Sequence, residues 1–182
     1  PHLFSNLLFL DTETTGLKDP RLISFAFSLG ETESFTTAIF KPAKEIEEQA
    51  SLINGVTNEM VKDLSLFDTS FEKKQLQILL NERILVCHNI KFDKLVLENE
   101  GLKVGKTLCT KELAQGLYPS FENHKLQTLR TSLNLNHASA IAHSAIGDTI
   151  ILKELFKAMH KGVAKKFQDE QKAFDYLMKY CQ

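Results

Sequence analysis

The sequence has little net charge, no regular cysteine pattern and no long apolar run, and each of these features excludes a class of protein. The 182 residues carry a formal charge of -1, without the overall basicity of proteins that coat nucleic acids. A phosphate-bearing partner must therefore be held by a local site. Cys87, Cys109 and Cys181 are far apart, odd in number and free of metal-ligand spacing, which favours reduced thiols over a disulfide framework.

Membrane and secretory signals are also missing. The longest apolar runs are well short of a membrane span, and the opening PHLFSNLLFL has neither a basic start nor a small-residue cleavage site. We therefore predict a cytoplasmic protein with no membrane partner. With 43% hydrophobic residues, residues 1–182 are expected to form a single domain.

The order of the predicted elements indicates an α/β fold. Three strand-like segments, beginning at Asn6, Arg21 and Glu31, are joined by short turn-rich connections, which favours antiparallel neighbours. Helical and strand-like segments then alternate, a pattern typical of parallel strands joined by helices. We predict a mixed central β-sheet, three antiparallel strands followed by parallel ones, flanked by helices. A long helix is expected from about Ser144 to Gly162, and a C-terminal helix over about residues 163–182.

The first strand-like run, LLFLDTETTGL, contains two acids at its end. Alternate side chains of a strand point to the same face, so Asp11 and Glu13 should project together from a hydrophobic run. Like charges at that distance repel, and partial burial makes each acid harder to ionise. Two simpler interpretations also fit the pair alone: solvated acids at the lip of a loop, or an N-cap role for Asp11.

Two further acids interrupt apolar helix faces. Asp93 shares a face with Val96, and Asp148 shares a face with Ile151 and Leu155, so both acids should point toward the core. A lone acid in such a stripe can be an edge residue or a charge favoured by the start of a helix. Two of them, each following a histidine in CHNIKFD and AHSAIGD, favour a shared site.

Four converging carboxylates would need a countercharge. Two divalent cations would neutralise about four negative charges and supply the geometry for in-line attack on phosphorus. Oxygen ligands without Cys or His favour Mg²⁺ or Mn²⁺ over Zn²⁺. If Asp11, Glu13, Asp93 and Asp148 converge, we therefore expect two Mg²⁺ or Mn²⁺ ions and hydrolysis of phosphodiesters.

His143 is predicted to accept a proton. It precedes Asp148 by five residues, which would place it about 140° away around a continuous helix, so we expect it in the loop before that helix. A neutral imidazole there could take a proton from the attacking water. Four other histidines are interpreted as surface residues: His2, His124, His137 and His160.

In three places the sequence resembles the DEDD exonuclease superfamily, in the branch with a histidine in its third motif. The matching stretches are FLDTETTGL, CHNIKFD and AHSAIGD, in order and at the spacing of that family. With weaker matches between them, they cover about residues 6–158. The resemblance is strongest to the proofreading 3′-to-5′ exonucleases of bacterial replicative polymerases, and it implies an RNase H-like fold and a two-metal mechanism.

The resemblance implies catalytic roles for the matching residues. Asp11, Glu13 and Asp148 would hold the metal that binds the attacking water. Asp11 would also hold the second metal, and Asp93 would support that second ion. His143 would be the general base.

A second group of residues would bind the 3′-terminal nucleotide. The backbone of Thr14 would contact it, and Leu17 would wedge against its base. His88, Asn89 and Phe92 would line the nucleotide pocket. Apolar faces such as those of Leu17 and Phe92 stack on any base, although such residues are more often part of a core.

Three positions depart from the family pattern. Ser24, Asn54 and Cys109 stand where the family commonly has an acid, a histidine and an aspartate. None belongs to the catalytic set, so we expect activity to survive. The DTETTG form favours the DNA-directed proofreading type over oligoribonucleases. We therefore predict single-stranded DNA as the substrate and nucleoside 5′-monophosphates as products, and the resemblance makes a DNA polymerase a candidate partner.

Three alternatives are open. One is an RNA-directed exonuclease of the same family, of the oligoribonuclease or RNase T type. Another is a catalytically silent nucleic-acid-binding domain on this fold. A haloacid-dehalogenase-type phosphatase fits less well, because its DxDx[TV] pattern needs an aspartate where this chain has Glu13.

Overall fold

The computed structural model describes residues 2–135 and 140–182, so His137 lies outside the described residues. The strands are β1 (Leu7–Thr14), β2 (Leu22–Leu29), β3 (Thr36–Ile39), β4 (Ile84–Cys87) and β5 (Thr107–Cys109). The helices are α1 (Glu48–Asn54), α2 (Asn58–Val61), α3 (Phe71–Glu82), α4 (Ile90–Asn99), α5 (Thr110–Leu117), α6 (Leu126–Ser132), α7 (Ala145–Phe167) and α8 (Glu170–Met178). Within the described ranges, no helix combines the length and apolar character needed to cross a membrane.

β1 is the central strand of a mixed sheet with the order β3-β2-β1-β4-β5. The pairs β1–β2 and β2–β3 are antiparallel, whereas β1–β4 and β4–β5 are parallel. The predicted mixed sheet is therefore confirmed. The unbroken apolar run of β1 suits the central place, because residues 7–10 are fully buried between two layers of helices.

β1 separates two hydrophobic cores. Leu7 and Phe9 pack against α7, where the ring centroid of Phe156 lies 5.4 Å from that of Phe9. Leu8 and Leu10 pack on the opposite face with residues of α3 and α4. Because side chains alternate along a strand, the acids that follow Phe9 at odd-numbered positions continue the face that α7 covers.

Hydrogen bonds fix both covering helices to the sheet. In the first turns of α7, the Thr149 hydroxyl shares its proton between the carbonyl oxygen of Ala145, 2.7 Å away in the same helix, and that of Ala26 in β2, 3.1 Å away. At the end of α4, the buried Glu100 carboxylate accepts from Arg21 Nε over 2.9 Å and from the Leu22 N–H over 3.0 Å. These bonds define where the start of α7 and the end of α4 lie relative to β1 and β2.

The long helix extends beyond its predicted end. The prediction placed a boundary near Gly162, but α7 continues to Phe167. Val163 and Ala164 are buried in the core, and this burial outweighs the cost of about 1 kcal/mol for a glycine within a helix. The chain turns at Gln168, which has a φ of 53°, and only then does α8 begin.

His160 is buried, and its prediction as a surface residue was wrong. It is 5% exposed, and its Nε2 lies 3.0 Å from the carbonyl oxygen of Glu170. The ring also meets Phe4 edge to face at 5.0 Å between centroids. The reason is tertiary, since α8 folds back along α7 and covers the helix face that carries His160.

The packing of α7 on β1 makes Phe156 a sensitive position. We expect Phe156→Ala to lower the free energy of unfolding by about 3 to 5 kcal/mol, because it opens a cavity between α7 and β1. The matched control is Phe71→Ala, since Phe71 is 72% exposed, and it should cost under about 1 kcal/mol. Urea unfolding followed by circular dichroism measures both. Equal losses in the two variants would contradict this packing.

Candidate active site

The two acids of β1 lie inside the strand. Asp11 pairs with Ala26 of β2 and Glu13 pairs with Ser24, and both acids are partly buried. A residue within a strand is neither a helix N-cap nor part of a loop lip. Neither of the simpler interpretations of this pair therefore fits the structure.

Asp148 meets these acids from α7. Ser144 caps that helix by accepting a backbone N–H of the first turn over 3.1 Å, so Asp148 is not the N-cap. The Thr149 bond to β2 brings the first turn of α7 close to the end of β1. Ligand oxygens of Asp11, Glu13 and Asp148 lie within 4.8 Å of one another.

Asp93 approaches from the opposite layer of helices. It lies in the first turn of α4 with 4% exposure, and its carboxylate accepts from the Thr12 hydroxyl over 2.8 Å. The charge of Asp93 raises the pKa of both Asp11 and Glu13. The structure therefore brings the four predicted acids into one electrostatic cluster.

Burial and repulsion both oppose ionisation of this cluster. Desolvation first, and then the charges of its three acidic neighbours, hold the pKa of Asp11 well above its ordinary value. Burial and the neighbouring charges raise the pKa of Glu13 to about 8. Burial raises the pKa of Asp93 to about 7, against the lowering effect of the Thr12 hydrogen bond. Full ionisation at neutral pH needs a compensating positive charge.

The donor set fits a hard divalent cation. Three carboxylates can each direct one oxygen into the space between Asp11, Glu13 and Asp148. Carboxylate oxygens favour Mg²⁺ or Mn²⁺ over softer metals. A dication here would favour the ionised form of every acid around it. The cluster can therefore hold a divalent metal ion.

His143 lies next to Asp148, in the segment that leads into α7. Burial raises the pKa of Asp148, and the charge and backbone N–H of His143 oppose that rise. The His143 side chain is exposed and its backbone is left-handed, with a φ of 59°. Gly147 allows the segment to cross the helix start, since a Cβ at Gly147 would lie 1.9 Å from the carbonyl oxygen of Ile141.

A cavity of about 360 Å³ opens beside Glu13. Its lining includes Thr14, Leu17 and Phe92, three of the five predicted nucleotide-binding residues. Leu17 is 84% exposed, so it is not a core residue. Asn54 also lines the cavity, which places one of the three departures from the family pattern in the pocket itself.

The other two predicted nucleotide-binding residues do not line this cavity. His88 is buried, and its ring nitrogens lie 2.9 Å from Thr110 Oγ1 and 2.8 Å from the carbonyl oxygen of His124. Burial lowers its pKa to about 4, so His88 is a neutral link between β4, α5 and the segment before α6. Asn89 is exposed immediately before α4.

Two residues of the site escaped the sequence analysis. Thr12 binds Asp93, and Gln127 of α6 donates from Nε2 to Asp148 Oδ1 over 2.7 Å. The sequence could have indicated Thr12, because a residue between Asp11 and Glu13 in a strand must face the layer of helices opposite to the one that the two acids face. Nothing in the local pattern around Gln127 indicates a partner 21 residues away.

Comparisons with known proteins converge on one group. A family profile described as Exonuclease matches residues 8–156. The chain is 31% identical over 183 aligned positions to the DNA polymerase III subunit epsilon of Buchnera aphidicola subsp. Acyrthosiphon pisum, covering 89% of this chain and 76% of that protein. It is 30% identical over 178 positions to the DNA polymerase III PolC-type of Bacillus subtilis, covering 88% of this chain and 12% of that protein.

A solved structure shares the fold. Exonuclease X in complex with 5′ overhanging duplex DNA superposes with a TM-score of 0.71 at 23% identity, covering 92% of this chain and 99% of that one. The likeness extends over nearly the whole of both chains. The expected RNase H-like fold is confirmed.

The repulsion among the acids should lower the free energy of unfolding at neutral and higher pH. The pKa of Glu13 rises from 4.5 to about 8 on folding, so between these pH values the folded protein retains a proton that the unfolded chain releases. Stability therefore falls as the pH rises through this window. In metal-free protein at pH 8, we expect Glu13→Gln to raise the free energy of unfolding by about 1 to 3 kcal/mol, allowing for screening at this partly exposed site. The gain should shrink toward pH 5.

The matched control is Glu45→Gln, since Glu45 is exposed in the segment before α1. It should change the free energy of unfolding by less than about 0.5 kcal/mol at either pH. Denaturant unfolding in EDTA at pH 5 and pH 8 measures both variants. A Glu13→Gln protein that is less stable than the wild type at pH 8 would contradict the proposed repulsion.

Proposed function

The chain belongs to the exonuclease family, and from this premise we propose that it is a 3′-to-5′ exonuclease of the DEDDh branch, which removes nucleoside 5′-monophosphates from the 3′ end of single-stranded DNA. The single observation that carries the proposal is the convergence of Asp11, Glu13 and Asp148 within 4.8 Å, with Asp93 beside them. Holding these carboxylates ionised and close together costs free energy when no metal is bound. The cluster is suited to an enzyme that handles phosphate with divalent ions.

The four acids would hold two Mg²⁺ or Mn²⁺ ions. Asp11, Glu13 and Asp148 would bind one ion, and Asp11 and Asp93 the other. When bound, the two ions would supply Lewis-acid stabilisation of the charge that develops during in-line displacement at phosphorus. The Thr12 hydroxyl fixes the Asp93 carboxylate for this role, and the Ser144 cap fixes the turn that carries Asp148.

His143 would act as the general base. Its imidazole lies on an exposed segment beside Asp148, so it can face solvent and the metal cluster at once. A histidine that is neutral near pH 7 can accept the proton of the attacking water as the bond to phosphorus forms. The leaving 3′ oxygen of the next nucleotide then departs with the shortened strand.

The cavity beside Glu13 would hold the terminal nucleotide. The backbone of Thr14 would contact the sugar, and the base would stack between Leu17 and Phe92. Asn89 is exposed next to this region, so we retain the proposal that it contacts the nucleotide. His88 has both ring nitrogens engaged inside the protein, so we propose that it supports the site through the segment before α6.

DNA is the proposed substrate because both named sequence relatives are DNA polymerase III proteins. The same names support a polymerase as the working partner. The cytoplasmic location and the single-domain organisation of residues 1–182 stay predictions.

Digestion of 5′-labelled oligonucleotides tests the assignment. With Mg²⁺, the wild type should shorten single-stranded DNA from its 3′ end one nucleotide at a time, and faster than RNA of the same sequence. Asp148→Ala should leave no detectable ladder because a metal ligand is lost. His143→Ala should slow the reaction by about 10²- to 10⁴-fold, the usual contribution of a general base.

The matched controls are Asp63→Ala and His2→Ala, since both residues are exposed and neither belongs to the site. Both should digest DNA like the wild type. A ladder that Asp148→Ala leaves unchanged would overturn the metal assignment. Faster digestion of RNA would identify an RNA-directed enzyme, and a wild type that binds DNA without cutting it would identify a silent domain.

Leu17 offers a separate test of the nucleotide pocket. We expect Leu17→Ala to raise KM for single-stranded DNA about 5- to 50-fold, since burial of apolar surface is worth about 0.8 kcal/mol per CH₂ group and the substitution removes about three such groups from contact with the base. The matched control is Leu52→Ala, because Leu52 is 79% exposed on α1 and is absent from the cavity lining. Initial rates on a fluorescent oligonucleotide give KM for each variant. An unchanged KM for Leu17→Ala would exclude Leu17 from the pocket.

A further inference from the structure

The hydrogen bond between Gln127 and Asp148 joins a helix outside the three motifs to the metal cluster. Gln127 Nε2 lies 2.7 Å from Asp148 Oδ1, and both residues are partly buried. An ionised carboxylate can only accept hydrogen bonds. The amide nitrogen must therefore face Asp148, and the bond fixes which oxygen of Asp148 is turned toward α6.

α6 is well placed to act as a rigid support. Leu129 is fully buried in the core between α6 and α7. Arg130, one turn after Gln127, donates from Nη1 to the carbonyl oxygen of Ala140 over 3.0 Å. One helix thus contacts the third motif at the Asp148 side chain and the segment just before that motif at the Ala140 carbonyl.

The chemistry of the amide suits this position. A lysine or arginine would form an ion pair with Asp148, and its charge would compete with a cation for the carboxylate. An amide donates a hydrogen bond without adding charge, so it can orient the group and leave its negative charge for a metal. Groups that hydrogen-bond metal ligands in this way commonly change metal affinity by about 10- to 100-fold.

We propose that Gln127 is a positioning residue, which holds Oδ1 of Asp148 so that the other oxygen faces Asp11 and Glu13. The inference rests on the proposed metal-dependent function. It assigns to α6 a part in metal binding that goes beyond the four acids. Gln127 acts through Asp148 and touches neither the metal nor the substrate.

Binding of Mn²⁺ to protein without nucleic acid tests this proposal. Electron paramagnetic resonance of free Mn²⁺ gives the Kd for the wild type, Gln127→Met, Asp148→Asn and the double variant. Gln127→Met keeps the length of the side chain and removes the donor. We expect it to weaken Mn²⁺ binding about 10-fold, with a melting temperature in EDTA within about 2 °C of the wild type.

The double variant separates positioning from a general structural effect. If Gln127 acts through Asp148, Gln127→Met should cause no further loss in the Asp148→Asn background. Ser132→Ala is the matched control, since Ser132 is exposed at the end of the same helix, and it should bind Mn²⁺ like the wild type. Gln127→Ala serves as a second donor-free variant if Gln127→Met melts early.

The outcomes distinguish this proposal from the function on which it rests. Wild-type affinity in both Gln127 variants would overturn the positioning role, and so would an equal loss in the wild-type and Asp148→Asn backgrounds. Wild-type affinity in Asp148→Asn would instead show that Asp148 does not hold the metal. That result would overturn the proposed function itself.

Discussion

Repulsion between buried carboxylates at the end of β1 is the constraint on which the rest of the structure depends. Asp11 and Glu13 continue a face that is otherwise packed against α7, and α7 contributes a third acid to the same space. The fold holds these acids together with hydrogen bonds from uncharged donors, from the Thr149 hydroxyl to the Ala26 carbonyl and from the Thr12 hydroxyl to the Asp93 carboxylate. The framework therefore holds the acids together, and burial still outweighs the charges of His143 and Arg130 beside Asp148. In the proposed function, bound divalent cations would supply the missing positive charge.

The order of the strands explains how three distant segments reach one point. β1 lies between β2 and β4, so α4, which follows β4, and α7, which crosses β1 and β2, cover opposite faces of the same strand. Side chains alternate along β1, so Asp11 meets α7 and Thr12 meets α4. The site thus lies at the end of β1, with the start of α7 on one face of the sheet and the start of α4 on the other. The pocket beside Glu13 extends it toward α1.

The sequence predicted the parts of this site that depend on local periodicity. The alternation of side chains along a strand predicted that Asp11 and Glu13 share one face. Helical spacing predicted that Asp93 and Asp148 point toward the core. The sequence could not predict partners chosen by tertiary packing. His160 is buried because α8 folds back on α7, and Gln127 reaches Asp148 because α6 docks beside the start of α7. The end of α7 was missed for the same reason, since buried residues beyond Gly162 extend the helix.

The central claim is that the four acids together bind two metal ions. The most direct measurement is a crystal structure with Mn²⁺ and a nucleoside 5′-monophosphate, with anomalous scattering recorded at the manganese edge. We predict two peaks about 3.5 to 4 Å apart, both within bonding distance of Asp11, with Glu13 and Asp148 on one ion and Asp93 beside the other. A nucleotide seated against Leu17 with no manganese peak among the acids would contradict the account.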